Sequence, residues 1–161
     1  LSDSAQPTGH CHRNFLFTKK MICPETKGYK LNPLVAPAGD INMRPADYAK
    51  FIQANLRALS GKEGVLTSST INFIHYGAAD YAMGWSFVKT GNDTLSFHDG
   101  SAGTFYCHTI FSRKFDMAVI ILANCGDEEI IHPLHAFREL LFSKYIPVQI
   151  GLHRVKTRAR Q

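Results

Sequence analysis

Long hydrophobic runs and abundant cysteine are both missing from this sequence. Its longest apolar run, residues 117–123, is far too short to cross a bilayer, which takes about 20 residues. Four cysteines among 161 residues do not make a disulfide framework. Cys107 and Cys125 lie in apolar, strand-like runs, which predicts small buried thiols. We therefore expect neither a membrane span nor a disulfide scaffold.

An excess of positive charge is also missing from most of the chain, although its net charge is +5. The last eight residues carry four basic side chains and no acid, and without them basic and acidic residues nearly balance. A charge confined to one end does not indicate a nucleic-acid-binding surface. We expect one domain at 1–147 and a flexible basic tail at 148–161.

Histidine and cysteine form no regular metal-binding motif. The triplet 10–12 (His-Cys-His) and Cys23 match no common zinc spacing, and adjacent ligands on an extended chain point to opposite sides. We expect no metal and no cofactor. A metal-dependent hydrolase that uses His98, Asp99 and other histidines remains a third hypothesis, which elemental analysis would test.

The hydrophobic pattern predicts helices first and strands afterwards. One helix begins at Pro45 and ends before Gly61, and a second, capped by Thr67 or Ser68, stops at Gly77. Runs rich in aromatic and β-branched residues predict strands at 81–89, 94–98, 104–111 and 117–124, joined by hairpin-length connectors, and a helix near 130–145 follows. We predict an α+β fold: a meander of about four antiparallel strands, with two helices before it and a C-terminal helix packed on one face.

The segment 97–103 is the strongest candidate for chemistry. A strand that runs into Gly100, Ser101 and Gly103 exposes backbone N–H groups, which can stabilise an oxyanion. The neighbouring His98 can donate a proton or bind a carboxylate. A glycine-rich β-turn next to a histidine without a function explains the same segment equally well.

Four stretches follow one another in an order that is typical of one enzyme family. They are 37–43 (PAGDINM) with the helix start 47–51 (DYAKF), then 81–85 (YAMGW), 98–101 (HDGS) and 118–124 with Gly126. Together they resemble the class C β-lactamase-like serine hydrolases, of the penicillin-recognising type, over about Gln6 to Tyr145. The HDGS stretch is similar to the His-x-Gly form of that family's third motif.

The resemblance implies a role for each residue of that segment. His98 would face the cleft and assist proton transfer or bind the substrate's carboxylate, and the backbone N–H of Ser101 would be half of the oxyanion hole. Gly100 would let substrate lie against the strand, in a substrate-binding segment that includes Asp99 and Gly103. Strand alternation turns the Asp99 side chain away from the cleft.

The resemblance also implies a partial β-lactamase/DD-peptidase-like fold and a β-lactam, D-amino-acid peptide or small ester as substrate. Relatives in that family are commonly exported, so it implies a periplasmic or extracytoplasmic location.

The family's nucleophile is missing. Its Ser-x-x-Lys motif is matched only by Ser86 and Lys89, which lie three apart in a predicted strand and would diverge, and no Tyr-x-Asn or Ser-x-Asn triplet occurs. We therefore expect the C-terminal part of a serine hydrolase, inactive alone, whose N-terminal segment would complete the site. A start at Leu1 fits a chain cut from a longer one.

The alternative is a non-catalytic module that keeps the cleft wall and binds a peptide or a partner chain. The meander would then offer an open sheet edge, which favours partners or self-association.

Overall fold

The computed structural model describes residues 7–12, 19–21, 32–101 and 103–145; the predicted tail and Cys23 lie outside them. Within these ranges a two-stranded ribbon and a five-stranded antiparallel sheet accompany the helices. The elements are β1 His10–His12, β2 Lys19–Met21, α1 Ala36–Gly39, α2 Pro45–Leu59, α3 Ser68–Tyr76, β3 Tyr81–Ala82, β4 Trp85–Thr90, β5 Asp93–Ser101, β6 Tyr106–Ser112, β7 Met117–Ala123, a 3₁₀ turn Glu128–Ile130 and α4 Ile131–Tyr145.

The two helices predicted before the sheet are confirmed at their ends. Helix α2 begins at Pro45 and is followed by Gly61, whose φ of 85° lies in the left-handed region that favours glycine. Helix α3 is capped by Thr67, whose hydroxyl oxygen accepts a hydrogen bond from the Thr70 N–H at 3.2 Å. It ends at Gly77.

The α+β class and the antiparallel meander are confirmed, and the strand count rises to five, in the order β3-β4-β5-β6-β7. The strand predicted at 81–89 is two strands, because the chain reverses at Met83-Gly84 and pairs Ala82 with Trp85. Gly84 has a φ of 91°, which a turn tolerates and an extended strand does not. Local composition does not reveal this break, because strand-forming residues lie on both sides of it.

Helices cover both faces of the sheet. On one face α2 and α3 pack over a core of Ile52, Ala58, Leu59, Ile71, Trp85 and Phe111. On the other face Ile110, Val119 and Ile121 lie beneath Leu134, Leu141 and Phe142 of α4. Of the described helices, none is long and apolar enough to span a membrane.

Sequence periodicity places Ile130, Ile131, Leu134, Phe137, Leu140 and Leu141 on one apolar stripe that would pack on the sheet, and this prediction is partly wrong. Leu134 and Leu141 pack on the sheet, but Phe137 and Leu140 are 48% and 62% exposed. At 100° per residue, the contacts of Leu134, Leu141 and Phe142 centre the buried face about 140° from Leu140, whereas Phe137 and His135 lie at its two edges. His135 of α4 therefore lies at the edge of the face that packs on the sheet.

One buried histidine has a structural role in the core. His75 is fully buried and stacks on the Trp85 ring at 4.5 Å. Its Nε2 lies 3.1 Å from the Asn55 amide oxygen and so donates to it, while its Nδ1 lies 2.7 Å from the Ser96 hydroxyl and accepts from it. Burial lowers the pKa of His75 to about 4, so the ring stays neutral.

We predict that His75 makes the fold sensitive to acid between pH 6.5 and about 4. The unfolded state binds the proton that the folded core rejects, so stability is full above pH 6.5 and is lost as pH falls toward 4, by about 3 kcal/mol in total. Urea unfolding at pH 7 and pH 4.5 should show that His75→Gln loses about 2 kcal/mol less than the wild type. Equal losses in both proteins would contradict the assignment.

Candidate functional site

Among the residues that the structure describes, the C-terminal half of β5 is paired along one edge only. Strand β6 pairs with β5 from Leu95 to Ser101, whereas the pairing of β4 with β5 ends at Ser86 opposite Phe97. Strand β5 therefore continues four residues past the end of its β4 pairing. The candidate segment 98–101 coincides with this unpaired stretch, which we name the open edge.

Hairpin geometry decides which backbone groups face the open edge. Strands β4 and β5 are joined by Gly91-Asn92, a two-residue turn that places Thr90 opposite Asp93. In such a hairpin the residues that flank the turn form a hydrogen-bonded pair, so the Asp93 N–H points toward β4. Backbone direction alternates along a strand, so every second N–H after Asp93 points toward β4. At the open edge these are the N–H groups of Asp99 and Ser101, for which β4 offers no partner.

His98 and Gly100 share one face beside the open edge. The half-buried His98 ring lies 6.1 Å from the Trp85 ring and 6.4 Å from that of Tyr81, which is 57% exposed. A Cβ at Gly100 would lie 3.9 Å from the His98 Nε2 and touch nothing closer. The strand therefore has a low, open surface next to an imidazole. Trp85 belongs to the core.

The Ser101 hydroxyl has a structural role. It donates to the Gly126 carbonyl at 3.0 Å and accepts from the Gly103 N–H at 3.1 Å. Gly103 has a φ of 82°, and a Cβ at Gly126 would come within 2.4 Å of its carbonyl carbon. The hydroxyl thus fixes the β5–β6 loop against Gly126, and no general base contacts it among the described residues.

Ser86 and Lys89 lie on one uninterrupted strand, β4. Residues three apart on a strand face opposite sides, so the two side chains do not form a nucleophile pair. Lys89, Thr90 and Gly91 enter the β4–β5 turn, as the sequence predicts.

Asp99 faces the opposite side of the sheet from His98 and belongs to a separate polar cluster. Its Oδ1 accepts hydrogen bonds from the Tyr106 hydroxyl at 2.5 Å and from the His108 Nδ1 at 2.6 Å. His135 of α4 lies against His108, with 5.4 Å between the ring centroids. Sequence reasoning missed these three partners; their available signal was the two-residue spacing of Tyr106 and His108 on one strand face.

The cluster keeps Asp99 ionised. Burial alone would raise the pKa of this carboxyl, but the hydrogen bonds from His108 and Tyr106 outweigh burial and lower it. Burial and the nearby carboxylate raise the pKa of the Tyr106 hydroxyl, so it remains a donor. Burial, followed by the charge of Arg138, lowers the pKa of His135.

Two imidazole nitrogens of this cluster lack hydrogen-bond partners. The Nε2 atoms of His108 and His135 are both buried, and neither bonds to any atom in the part of the chain that the structure describes. An unsatisfied buried polar atom typically lowers the free energy of unfolding by about 1–3 kcal/mol. The described protein atoms therefore leave both nitrogens without a hydrogen bond or a bound ligand.

A shallow cavity of about 600 Å³ lies at the other end of β5, where Asp93, Thr94, Lys89 and Arg113 line it. Because Asp93 begins the strand and Ser101 ends it, the cavity is separate from the open edge.

Compared with protein-family models, curated proteins and solved structures, the chain matches none of them. The β-lactamase-like relationship therefore remains a prediction, and the functional arguments depend on geometry.

We predict that Tyr106→Phe raises the pKa of Asp99, because it removes one of the two hydrogen bonds that stabilise the carboxylate. It should also destabilise the fold by about 2 kcal/mol, as expected for a lost bond to a charged acceptor. A ¹³C NMR titration of the Asp99 carboxyl measures the first effect. Tyr48→Phe is the matched control, because the Tyr48 hydroxyl contacts Thr109 instead. Equal Asp99 titrations in both variants would contradict the assignment.

Proposed function

We propose that this chain supplies the substrate-binding wall of a serine hydrolase cleft, with the open edge of β5 as the wall. The proposal rests on one observation: β5 extends four residues past the end of its pairing with β4. The N–H groups of Asp99 and Ser101 therefore face the open edge. An extended substrate can lie along such an edge as an added strand. The Ser101 N–H is the group that the family resemblance assigns to the oxyanion hole.

The surroundings of the edge support binding of an acyl compound. Gly100 leaves room for substrate directly above the strand, and the His98 imidazole beside it can bind a carboxylate or transfer a proton. Donors fixed by a rigid sheet stabilise an oxyanion because they need no reorganisation. Continuous pairing with β6 supplies that rigidity.

The chain alone should bind without catalysing. Neither Ser86 nor Ser101 has an activating base among the described residues, so acyl transfer requires a nucleophile from a Ser-x-x-Lys segment elsewhere. The substrate class follows from the resemblance: a β-lactam, a D-amino-acid peptide or a small ester. A periplasmic or extracytoplasmic location belongs to the same proposal.

A peptide-binding module without catalysis is the second candidate, and the same edge favours it. Strand addition pairs the N–H and C=O groups of Asp99 with the backbone of an extended peptide and needs no D-amino acid. The two functions therefore differ in ligand preference, with the hydrolase favouring a D-amino-acid terminus.

We predict that N-acetyl-D-alanyl-D-alanine binds at the open edge. In ¹⁵N–¹H NMR titrations the amides of Asp99 and Ser101 should shift, and the L,L dipeptide should bind more weakly. Gly100→Ala should weaken binding by at least about tenfold, because its methyl group occupies the substrate's place on the strand. Gly64→Ala is the control, since a Cβ there meets no atom within 4 Å.

Shifts confined to other amides would refute the edge as the binding site, and equal affinity for the two dipeptides would favour the peptide-binding module. Incubation with a fluorophosphonate, followed by intact mass measurement, should give no adduct. A stoichiometric adduct on Ser86 or Ser101 would contradict the assignment of binding without catalysis.

A further inference from the structure

A carboxylate and two imidazoles meet on the α4 face of the sheet. Asp99 comes from β5, His108 from the facing position of β6, and His135 from the first half of α4. Each side chain offers one ligand atom, and these atoms all lie within 4.8 Å of one another. Residues so far apart in sequence form no motif, which is why the sequence predicts no metal site.

Hydrogen bonding fixes the tautomer of His108. An ionised carboxylate only accepts hydrogen bonds, so the His108 Nδ1, 2.6 Å from the Asp99 Oδ1, carries the proton. In the neutral ring the Nε2 then holds a lone pair. Histidines that bind metal commonly donate their other N–H to a carboxylate in this manner.

The lone pair of His108 is buried without a donor. The His108 side chain is 0% exposed, and its Nε2 has no hydrogen-bond partner among the described residues; the buried Nε2 of His135 also lacks one. Asp99, 36% exposed, leaves a route from solvent. A buried imidazole that is oriented by a carboxylate and lies beside a second unpartnered imidazole is suited to a cation.

We propose that the Nε2 atoms of His108 and His135 bind a divalent transition-metal ion, with Asp99 as the hydrogen-bonded carboxylate partner of His108 and zinc as the expected occupant. Imidazole nitrogens suit zinc better than magnesium or calcium, which prefer oxygen ligands alone. Ligands of tetrahedral zinc lie about 3.3 Å apart, so small side-chain rotations would close the site. The two imidazoles leave the remaining coordination positions to water.

The positive charge of Arg138 opposes the binding of a cation, and its ion pair with Glu139 reduces this repulsion. Arg138 lies close enough to influence His135, but its guanidinium bonds the Glu139 carboxylate at 2.6 and 2.9 Å. His132, on the same helix, is exposed and also close. The carboxylate of Asp99 supplies the compensating negative charge within the site.

The ion would fix α4 to the sheet. No residue of α4 is fully buried, so apolar packing holds this helix less firmly than it holds α2. A bond from His135 to an ion that is also bound by His108 of β6 would add a cross-link where packing is weak. Ligation by side chains leaves the open edge unchanged, so this proposal and the proposed function fail independently.

The test is zinc binding by the full chain after EDTA treatment and dialysis. We expect one equivalent of Zn²⁺ by calorimetry, a rise in Tm on its addition, and slower proteolysis within α4. Asp99→Asn and His135→Ala should each lose at least about tenfold in zinc affinity, as is typical for a lost ligand or its carboxylate partner. The matched control His132→Ala, one turn earlier on α4, should bind like the wild type.

Two results would overturn the proposal. One is the absence of stoichiometric binding and of any Tm shift in the wild type. The other is one equivalent of zinc bound with unchanged affinity by both Asp99→Asn and His135→Ala, which would place the ion elsewhere in the chain. Circular dichroism of each variant without metal checks that loss of zinc does not reflect loss of fold.

Discussion

The alternation of side chains along β5 is the constraint on which both candidate sites depend. His98 and Gly100 face α2 and α3, while Asp99, between them, faces α4 and meets His108. A one-residue slip of this strand would exchange the two faces and bury His98 where the carboxylate now lies. The two-residue turn at Gly91-Asn92 fixes the register, so a short loop at one end determines the chemistry at the other.

The unequal lengths of neighbouring strands create the open edge. Strand β4 begins only after the chain has turned at Gly84, whereas β6 follows β5 to its last residue. One side of the segment is therefore rigid and the other unpaired. An unpaired strand edge promotes aggregation. Binding of a ligand at the edge beside Gly100 and His98 would explain why this protein keeps one.

Local sequence patterns predicted the parts of the fold that depend on local physics. The helix at Pro45 and the cap at Thr67 follow from periodicity and from orphan N–H groups. The sequence did not predict the chain reversal at Gly84, because strand-forming residues lie on both sides of it. The contact of Asp99 with His108 depends on strand register, and that of His135 on the rotation of α4 about its axis; neither is encoded by neighbouring residues.

Amide hydrogen exchange along β5 in the unliganded chain tests the central claim most directly. Leu95, Phe97, Asp99 and Ser101 all direct their N–H groups toward the β4 side, but only the first two have partners there. We expect strong protection at Leu95 and Phe97 and rapid exchange at Asp99 and Ser101. Equal protection at all four amides would mean that the edge is already occupied, and the account of a substrate-binding wall would be wrong.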